Sequence, residues 1–377
     1  MREISQMRVL FQGIGILVHY NYAMPYYLLK LGIEEIRQLS NLFSILMGGW
    51  YYFTRSQGRM KVEVCKSGID FIDSKNFIKL LEMILTEKPA LEHYDVIHLN
   101  FYNSVFNVLF KAKVPKIFVL HGSPDYVNEA SCRILEEIRS KVDALVAVSV
   151  HAANKLKEVC NIEPDYVIHH GVDVEVFNPA VCSKSFAKRK LGIPLHRKVI
   201  LWNARLSSEK RLEILIHALS HVVKEDKNIL MLIKTRTINR SYELKILKLI
   251  KKLGVNEHVV FDRGWTPLIG MPVYYRAADV YVNTSTTEAF GSLTMLEAMA
   301  CGTPTIANNA SSNPEALGEG GLLYDKNDPH DLAEKLLRVL TDNKLAKMLS
   351  CKACKRISEE LTLHQVAKKY IKLYSLL

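Results

Sequence analysis

The chain reads as an α/β protein of two doubly wound, parallel-sheet domains. Three observations predict this. Short apolar runs such as Lys116-Ile117-Phe118-Val119-Leu120 alternate with helical stretches along most of the chain, the order that builds a parallel sheet covered on both faces. A strand, a glycine turn and a helix open the sequence, which is how a Rossmann-like half begins. At 377 residues the chain is too long for one typical core and suits two domains.

Taken in order, Arg8-Val9-Leu10-Phe11 is a buried strand, Gly13-Ile14-Gly15 the turn, and residues 24–39 the expected helix. Residues 41–61 run Leu, Phe, Ile, Trp and Tyr side chains straight into Arg55, Arg59 and Lys61. That pattern fits an acceptor or membrane surface with a basic rim. It also fits a buried helix leading into a strand at residues 62–64, and this second reading is preferred. Strands follow at Val96-Ile97-His98-Leu99, at Lys116 to Leu120, at residues 144–148 and at residues 166–168, with helices between them. Ligands of such sheets sit at the carboxyl ends of the strands, and His121 stands at one. Residues 181–198 lack periodicity and are rich in Lys and Arg, as a linker is. The second half repeats the alternation from Val199-Ile200-Leu201-Trp202 onward, and an amphipathic helix closes the chain at residues 362–374.

Charge and cysteines narrow the class. The net charge of +11 and pI near 9.1 favour anionic partners: sugar nucleotides, acidic lipid headgroups or nucleic acid. No signal peptide and no run of about 20 apolar residues is seen, and seven scattered cysteines suit a reducing compartment. A cytoplasmic protein is expected, with a peripheral position on the inner face of the membrane as a further expectation. Cys351-x-x-Cys354 lacks a second ligand pair and reads as structural.

The chemistry concentrates in Glu288-Ala-Phe290-Gly291-Ser292-Leu293-Thr-Met-Leu-Glu297-Ala-Met-Ala-Cys-Gly302-Thr-Pro304. An apolar strand feeds a carboxylate, a glycine bend, a helix and a second carboxylate; Gly302 and Pro304 stop the helix. Amides at a helix N-terminus face phosphates, and carboxylates accept bonds from sugar hydroxyls. Arg205-Leu-Ser-Ser-Glu209-Lys210 follows the strand that opens the second half; a guanidinium fork and an ammonium on one loop can neutralise a leaving diphosphate. The competing readings are a solvated helix with surface glutamates and a basic solvated turn.

These segments resemble the paired-glutamate signature and the Arg…Lys loop of retaining glycosyltransferases of family four, group 1. The resemblance is strong over residues 199–340 and weak before residue 90. Glu288 and Glu297 enclose eight residues, one more than is usual in the family, and the extra residue is assigned to the Gly291-Ser292 bend. The resemblance implies the GT-B fold: two Rossmann-like doubly wound domains facing a central cleft. It implies an N-terminal acceptor-side domain over 1–180, a linker over 181–198 and a nucleotide-sugar domain over 199–361, with the last helix packing back on the first domain. By resemblance, Gly13 and Gly15 lie against the donor and His121, after Val119-Leu120, contacts its sugar. Arg205 and Lys210 hold the diphosphate, helped by amides near Gly291 and Ser292. Glu288 holds the sugar, Glu297 the ribose, and Phe290 and Leu293 belong to the donor-binding loop. His170-Gly171-Val172-Asp173 looks like the family's Asn-Gly-Val-Asp segment, with His in place of Asn. The expected activity is retaining transfer from a UDP- or GDP-sugar to a glycan, lipid or small-molecule acceptor, without metal or other cofactor. A sugar-nucleotide epimerase of the same fold is the alternative. A nucleic-acid binder is a third class, resting on charge alone, and no nucleic-acid partner is expected.

Overall fold

A computed structural model describes residues 7–12, 24, 27–33, 35–41, 60–65, 94–100, 107–235, 239–325 and 327–377. The chain forms two compact units. Unit 1 comprises Met1–Gly122, Tyr126–His170 and Leu363–Leu377; unit 2 comprises Ser123–Asp125 and Gly171–Thr362.

Among the described residues, unit 1 is built on seven strands: β1 (Arg8–Gln12), β2 (Glu35–Asn41), β3 (Met60–Cys65), β4 (Val96–Leu99), β5 (Lys116–Leu120), β6 (Ala144–Ala147) and β7 (Tyr166–Val167). Their order is β3-β2-β1-β4-β5-β6-β7, with every pair parallel. Central strands of such a sheet are covered on both sides, so they are apolar throughout rather than alternating. β6 shows this, with four buried apolar residues; β4 is equally buried, with His98 as its one polar residue. The closing helix Leu363–Tyr374 belongs to this unit, burying Val366, Tyr370 and Tyr374.

Unit 2 holds β8 (Lys198–Asn203), β9 (Ile229–Lys234), β10 (Val259–Asp262), β11 (Val280–Asn283), β12 (Thr305–Asn308) and β13 (Gly321–Tyr324). The order β10-β9-β8-β11-β12-β13 is again all parallel. Its core runs from Ile200 and Trp202 through Leu215 and Leu219 to Leu332 and Leu336, joining the sheet to helices Leu212–Glu225 and Pro329–Thr341. The strand order reverses between β8 and β11. A doubly wound sheet opens its ligand crevice at that reversal, outside the strand carboxyl ends. The loops leaving β8 and β11 carry Arg205, Lys210 and Glu288, and the helix that follows the second loop carries Glu297.

The structure departs from the sequence reading in four places. The helix expected over 24–39 is helical at Met24 and over 27–30, and Glu35–Asn41 is a strand. Gly32, at φ 110°, turns the chain in a backbone region that ends helices, and Glu35 onward pairs with both β1 and β3. Residues 181–198 are not a patternless linker. Ser183 caps helix Lys184–Lys190 by accepting from Phe186 N, and Lys188 Nζ reaches Asp279 Oδ2 at 3.0 Å. The first unit gives way at residue 171, not 180, because Val172 N donates to Leu361 O at 2.8 Å within unit 2. Lastly, Cys132 and Cys160 are joined as a disulfide, Cα–Cα 5.1 Å, where the cysteine pattern favoured free thiols. Neighbouring helices Glu129–Arg139 and Val150–Cys160 bring them together, which a separation of 28 in sequence does not announce. The aromatic run of residues 42–59 and the glycines at 13 and 15 lie outside the described residues.

Candidate active site

β8 ends at Asn203, and a tight loop follows. Its 3-10 turn Ser208–Lys210 is followed by Arg211 at φ 51°. Two bonds tie the loop to the sheet: Trp202 Nε1 donates to Thr284 Oγ1 at 2.9 Å, and Thr284 Oγ1 donates to Lys210 O at 2.5 Å. The lysine backbone is therefore held by the first residue beyond β11. Lys210 Nζ meets Glu288 Oε1 at 2.6 Å, with side chains only 14% and 11% exposed. Arg205 is more open and lies 3.4 Å from Glu209 Oε1, which also accepts from Ser207 Oγ at 2.5 Å. The loop is thus a structured, sheet-anchored turn rather than a free basic one.

The second carboxylate sits on helix Leu293–Ala300. This helix is apolar nearly all round and buries Met295, Leu296, Ala298, Met299 and Ala300, as a core helix does; it is not a solvated helix with incidental glutamates. Glu297 and Thr294 are its partly buried polar residues. Tyr275 donates to Glu297 Oε2 at 2.5 Å, and Asn203 Nδ2 donates to Tyr275 Oη at 2.8 Å. Burial pushes the Glu297 carboxyl up to about 7, against which the Tyr275 bond acts in part, because a charge leaves water only at a cost.

Between the two glutamates the chain turns at Gly291, φ 51°. A Cβ there would stand 2.4 Å from Met295 Cε and 2.8 Å from Ala316 Cβ, so glycine is needed for space as well as for φ. Ser292 caps the helix, its Oγ accepting from Met295 N at 3.1 Å. The helix is continuous from Leu293 to Ala300, and Gly291 and Ser292 both precede it. Two expectations change here. The Gly291 amide donates to Ser312 Oγ at 2.9 Å, so it is not offered to a phosphate; Leu293 and Thr294 open the helix instead. Phe290 is fully buried, so its side chain is an anchor of the loop and only its backbone can face a donor.

His121 lies in unit 1, beyond β5. Its Nε2 is 2.7 Å from Asn100 Oδ1, and its Nδ1 is 2.9 Å from His170 Nε2. Asn100 Oδ1 is also 3.0 Å from His98 Nε2, and His98 Nδ1 is 2.6 Å from Tyr374 Oη. One assignment satisfies the set. Tyr374 donates to His98, His98 and His121 both donate to Asn100 Oδ1, and His170 donates to His121 Nδ1. All three rings are then neutral. Burial holds His98 and His170 down to about 3, and burial with the neighbouring histidines holds His121 well below its usual value. Both ring nitrogens of His121 are engaged within unit 1, so a direct bond from its ring to a sugar requires one of these to be exchanged.

Reasoning from sequence missed Tyr275, Asn203, Asn100, Ser311 and Ser312. Among the described residues, no group of three His, Cys, Asp or Glu is placed to hold a metal ion, and no helix is long and apolar enough to cross a membrane.

Comparison with known proteins bears on this geometry. The family described as glycosyl transferases group 1 matches residues 183–356, and glycosyltransferase family 4 matches residues 65–176. The D-inositol 3-phosphate glycosyltransferase of Streptomyces bingchenggensis is 30% identical over 281 residues, covering 68% of this chain and 61% of the relative. That of Thermomonospora curvata is 29% identical over 293 residues, covering 69% and 67%. The chain thus spans about three fifths of the first of these relatives. Among solved structures, a glycosyltransferase from Rickettsia africae superposes with TM-score 0.78 at 20% identity, over 98% of both chains. Anabaena HepE, in complex with UDP and glucose, does so with TM-score 0.78 at 19% identity, over 99% of this chain and all of the other. These structural likenesses fix the fold as GT-B. Two adjoining family matches, laid over two parallel sheets with the glutamate pair and the Arg-Lys loop at a strand-order reversal, place the chain in family 4 of the group 1 glycosyltransferases.

Proposed function

We propose that the chain transfers a sugar from a nucleotide-sugar donor to an acceptor hydroxyl with retention of anomeric configuration. The observation that carries this is the Lys210–Glu288 pair, 2.6 Å apart at the carboxyl ends of β8 and β11. It sets a phosphate-binding cation beside a sugar-binding carboxylate. Arg205 and Lys210 bind the diphosphate, and a phosphate on Lys210 leaves Glu288 to accept from sugar hydroxyls. Glu297, steadied by Tyr275, accepts from the ribose. Leu293 and Thr294 supply helix N-terminal amides. The glycosidic bond from the anomeric carbon to the phosphate oxygen breaks, and the acceptor oxygen bonds to that carbon on the same face. The acceptor proton passes to the departing phosphate. Arg205 and Lys210 compensate the charge that develops there, so no metal is required.

UDP is the favoured nucleotide, with GDP second, because HepE was solved with UDP and with UDP-glucose. A hydroxyl on a phosphorylated polyol is one acceptor class, suggested by the relatives named for inositol 3-phosphate; glycan and lipid acceptors are others. Gly13, Gly15 and His121 keep in this reading the donor-binding roles that the family resemblance gives them. Peripheral contact with an anionic membrane belongs to the same proposal, carried by the basic charge and the aromatic run. The test is transfer from UDP- and GDP-sugars in excess EDTA, with the product's anomeric proton followed by NMR. Retained configuration without added metal supports the reading. Inversion, or loss of activity that magnesium restores, overturns it.

A further inference from the structure

The loop from Glu288 to Gly291 carries one residue more than its family pattern on the way to Glu297, and it turns through a left-handed glycine. A longer loop has more conformations to lose before Glu288 points at a sugar. Something must hold it. The side chains that do so come from the start of the next strand-to-helix connection, beyond β12.

Ser312 is fully buried. Its Oγ accepts from Gly291 N at 2.9 Å and donates to Glu288 O at 2.8 Å. One hydroxyl therefore closes the loop from end to end, using its single proton and one lone pair. Ser311 takes the amide of the same glutamate: Glu288 N donates to Ser311 Oγ at 3.1 Å. The Ser311 proton has two acceptors in reach, Glu288 O at 2.8 Å and Asp125 Oδ2 at 2.6 Å. Ser311 holds a left-handed backbone, φ 54°, which a non-glycine residue keeps only when its surroundings fix it. Asn313 extends the contact, its Nδ2 donating to Ser285 O at 2.9 Å and its Oδ1 accepting from Asn283 Nδ2 at 3.0 Å. Three consecutive side chains thus grip the loop at residues 285, 288 and 291.

We infer that Ser311 and Ser312 are positioning residues for Glu288, a hydroxyl clamp that keeps the lengthened loop in register for sugar transfer. Neither touches a reacting atom. They act through the backbone of Glu288, and so on the sugar end of the donor. The nucleotide end is held by Glu297 and Tyr275, on a buried helix that the clamp does not contact through Ser312 Oγ or Ser311 Oγ. The inference rests on the function proposed above, and its experiment separates the two.

The variants are Ser312→Ala and the pair Ser311→Ala with Ser312→Ala, in the full chain. Amide exchange at Glu288 and Gly291 reads the clamp without any activity. Calorimetric titration with UDP reads the nucleotide end, and kcat and KM for a UDP-sugar read the sugar end. The expected result is faster exchange at both amides, UDP affinity within about twofold of wild type, and kcat lowered about tenfold or more; a 1 Å misplacement can cost ~100-fold. A restored hydroxyl, Ser312→Thr alongside Ser311→Ala, should recover Gly291 protection and part of kcat. Unchanged exchange in the double variant overturns the clamp, whatever the activity. Faster exchange with wild-type kcat overturns its role in positioning. UDP affinity falling in step with kcat also overturns that role, since it means a general loosening of unit 2. A wild-type chain that transfers no sugar defeats the proposed function and with it the positioning role, while exchange still decides whether the serines hold the loop.

Discussion

Two carboxylates of one motif have separate surroundings, which the proposed function uses for separate duties. Glu288 is matched by Lys210; Glu297 accepts from a phenol, and burial raises its carboxyl to about 7 against the effect of that bond. The sign is then fixed. A carboxyl whose folded value lies above its usual 4.5 favours the protonated fold, so its contribution to stability is present at low pH. That contribution is lost as pH rises from about 4.5 to about 7, and is flat beyond. The free protein should lose melting temperature between pH 5 and pH 8, and Glu297→Gln should lose less. Nucleotide affinity should move the other way, rising through pH 7 as the ionised carboxylate becomes available to ribose hydroxyls; an unchanged profile in Glu297→Gln would remove this residue from the nucleotide site. Glu288→Gln should leave UDP binding nearly intact and lower kcat, because a carboxylate bond to a sugar is about twice as strong as its neutral counterpart. Equal effects of both substitutions on UDP affinity would contradict that division. Local sequence carries the two glutamates because a helix and its flanking bend bring them together within ten residues. Tyr275, Asn100 and Ser312 reach their partners only through the sheet, so no local pattern points to them.

At the level of elements, what was legible follows from burial. Central parallel strands such as β5 and β11 are continuous apolar runs, and these stand out in any sequence. β2 carries Glu, Arg, Gln, Ser and Asn and was read as part of a helix; only its pairing between β1 and β3 makes it a strand. The sequence puts Cys351 and Cys354 on a helix but gives it no bounds, because helix Asn343–Glu360 buries only Leu349, Ala353 and Ile357, too thin a stripe to show a clear period. The bend before helix Leu293–Ala300 gives a sharp test. Ser292→Ala removes the cap and should cost about 1 kcal/mol while the helix persists. Gly291→Ala must place a Cβ against Met295 and Ala316 in a left-handed conformation, and should cost more than the cap, about 1–3 kcal/mol for overpacking alone. Chemical denaturation orders the two; a smaller loss for Gly291→Ala would mean that the loop rearranges freely and that its geometry does not set the aim of Glu288.

Across the whole molecule, the two units differ in how they are secured. Unit 1 has a covalent tie between helices Glu129–Arg139 and Val150–Cys160, closing a separation of 28 residues; a loop of that size is worth about 3–4 kcal/mol in the chain-entropy account. Reduction should lower the stability of unit 1 and leave unit 2, whose described cysteines are free, unchanged. Two calorimetric transitions of which only one responds to reductant would show this, and identical scans would count against a formed disulfide in solution. In the proposed function a nucleotide diphosphate sugar is held by unit 2, at its sheet reversal, with Lys210 and Glu288 at the lip. Isothermal titration of UDP, GDP and ADP, each with and without its sugar and in excess EDTA, tests this most directly in the wild type and in Lys210→Ala. Saturable binding of one nucleotide series is expected, weakened in the variant by the ~1.5–3 kcal/mol of a charge-assisted bond. Absence of binding by all three series, or equal binding by wild type and Lys210→Ala, would contradict it.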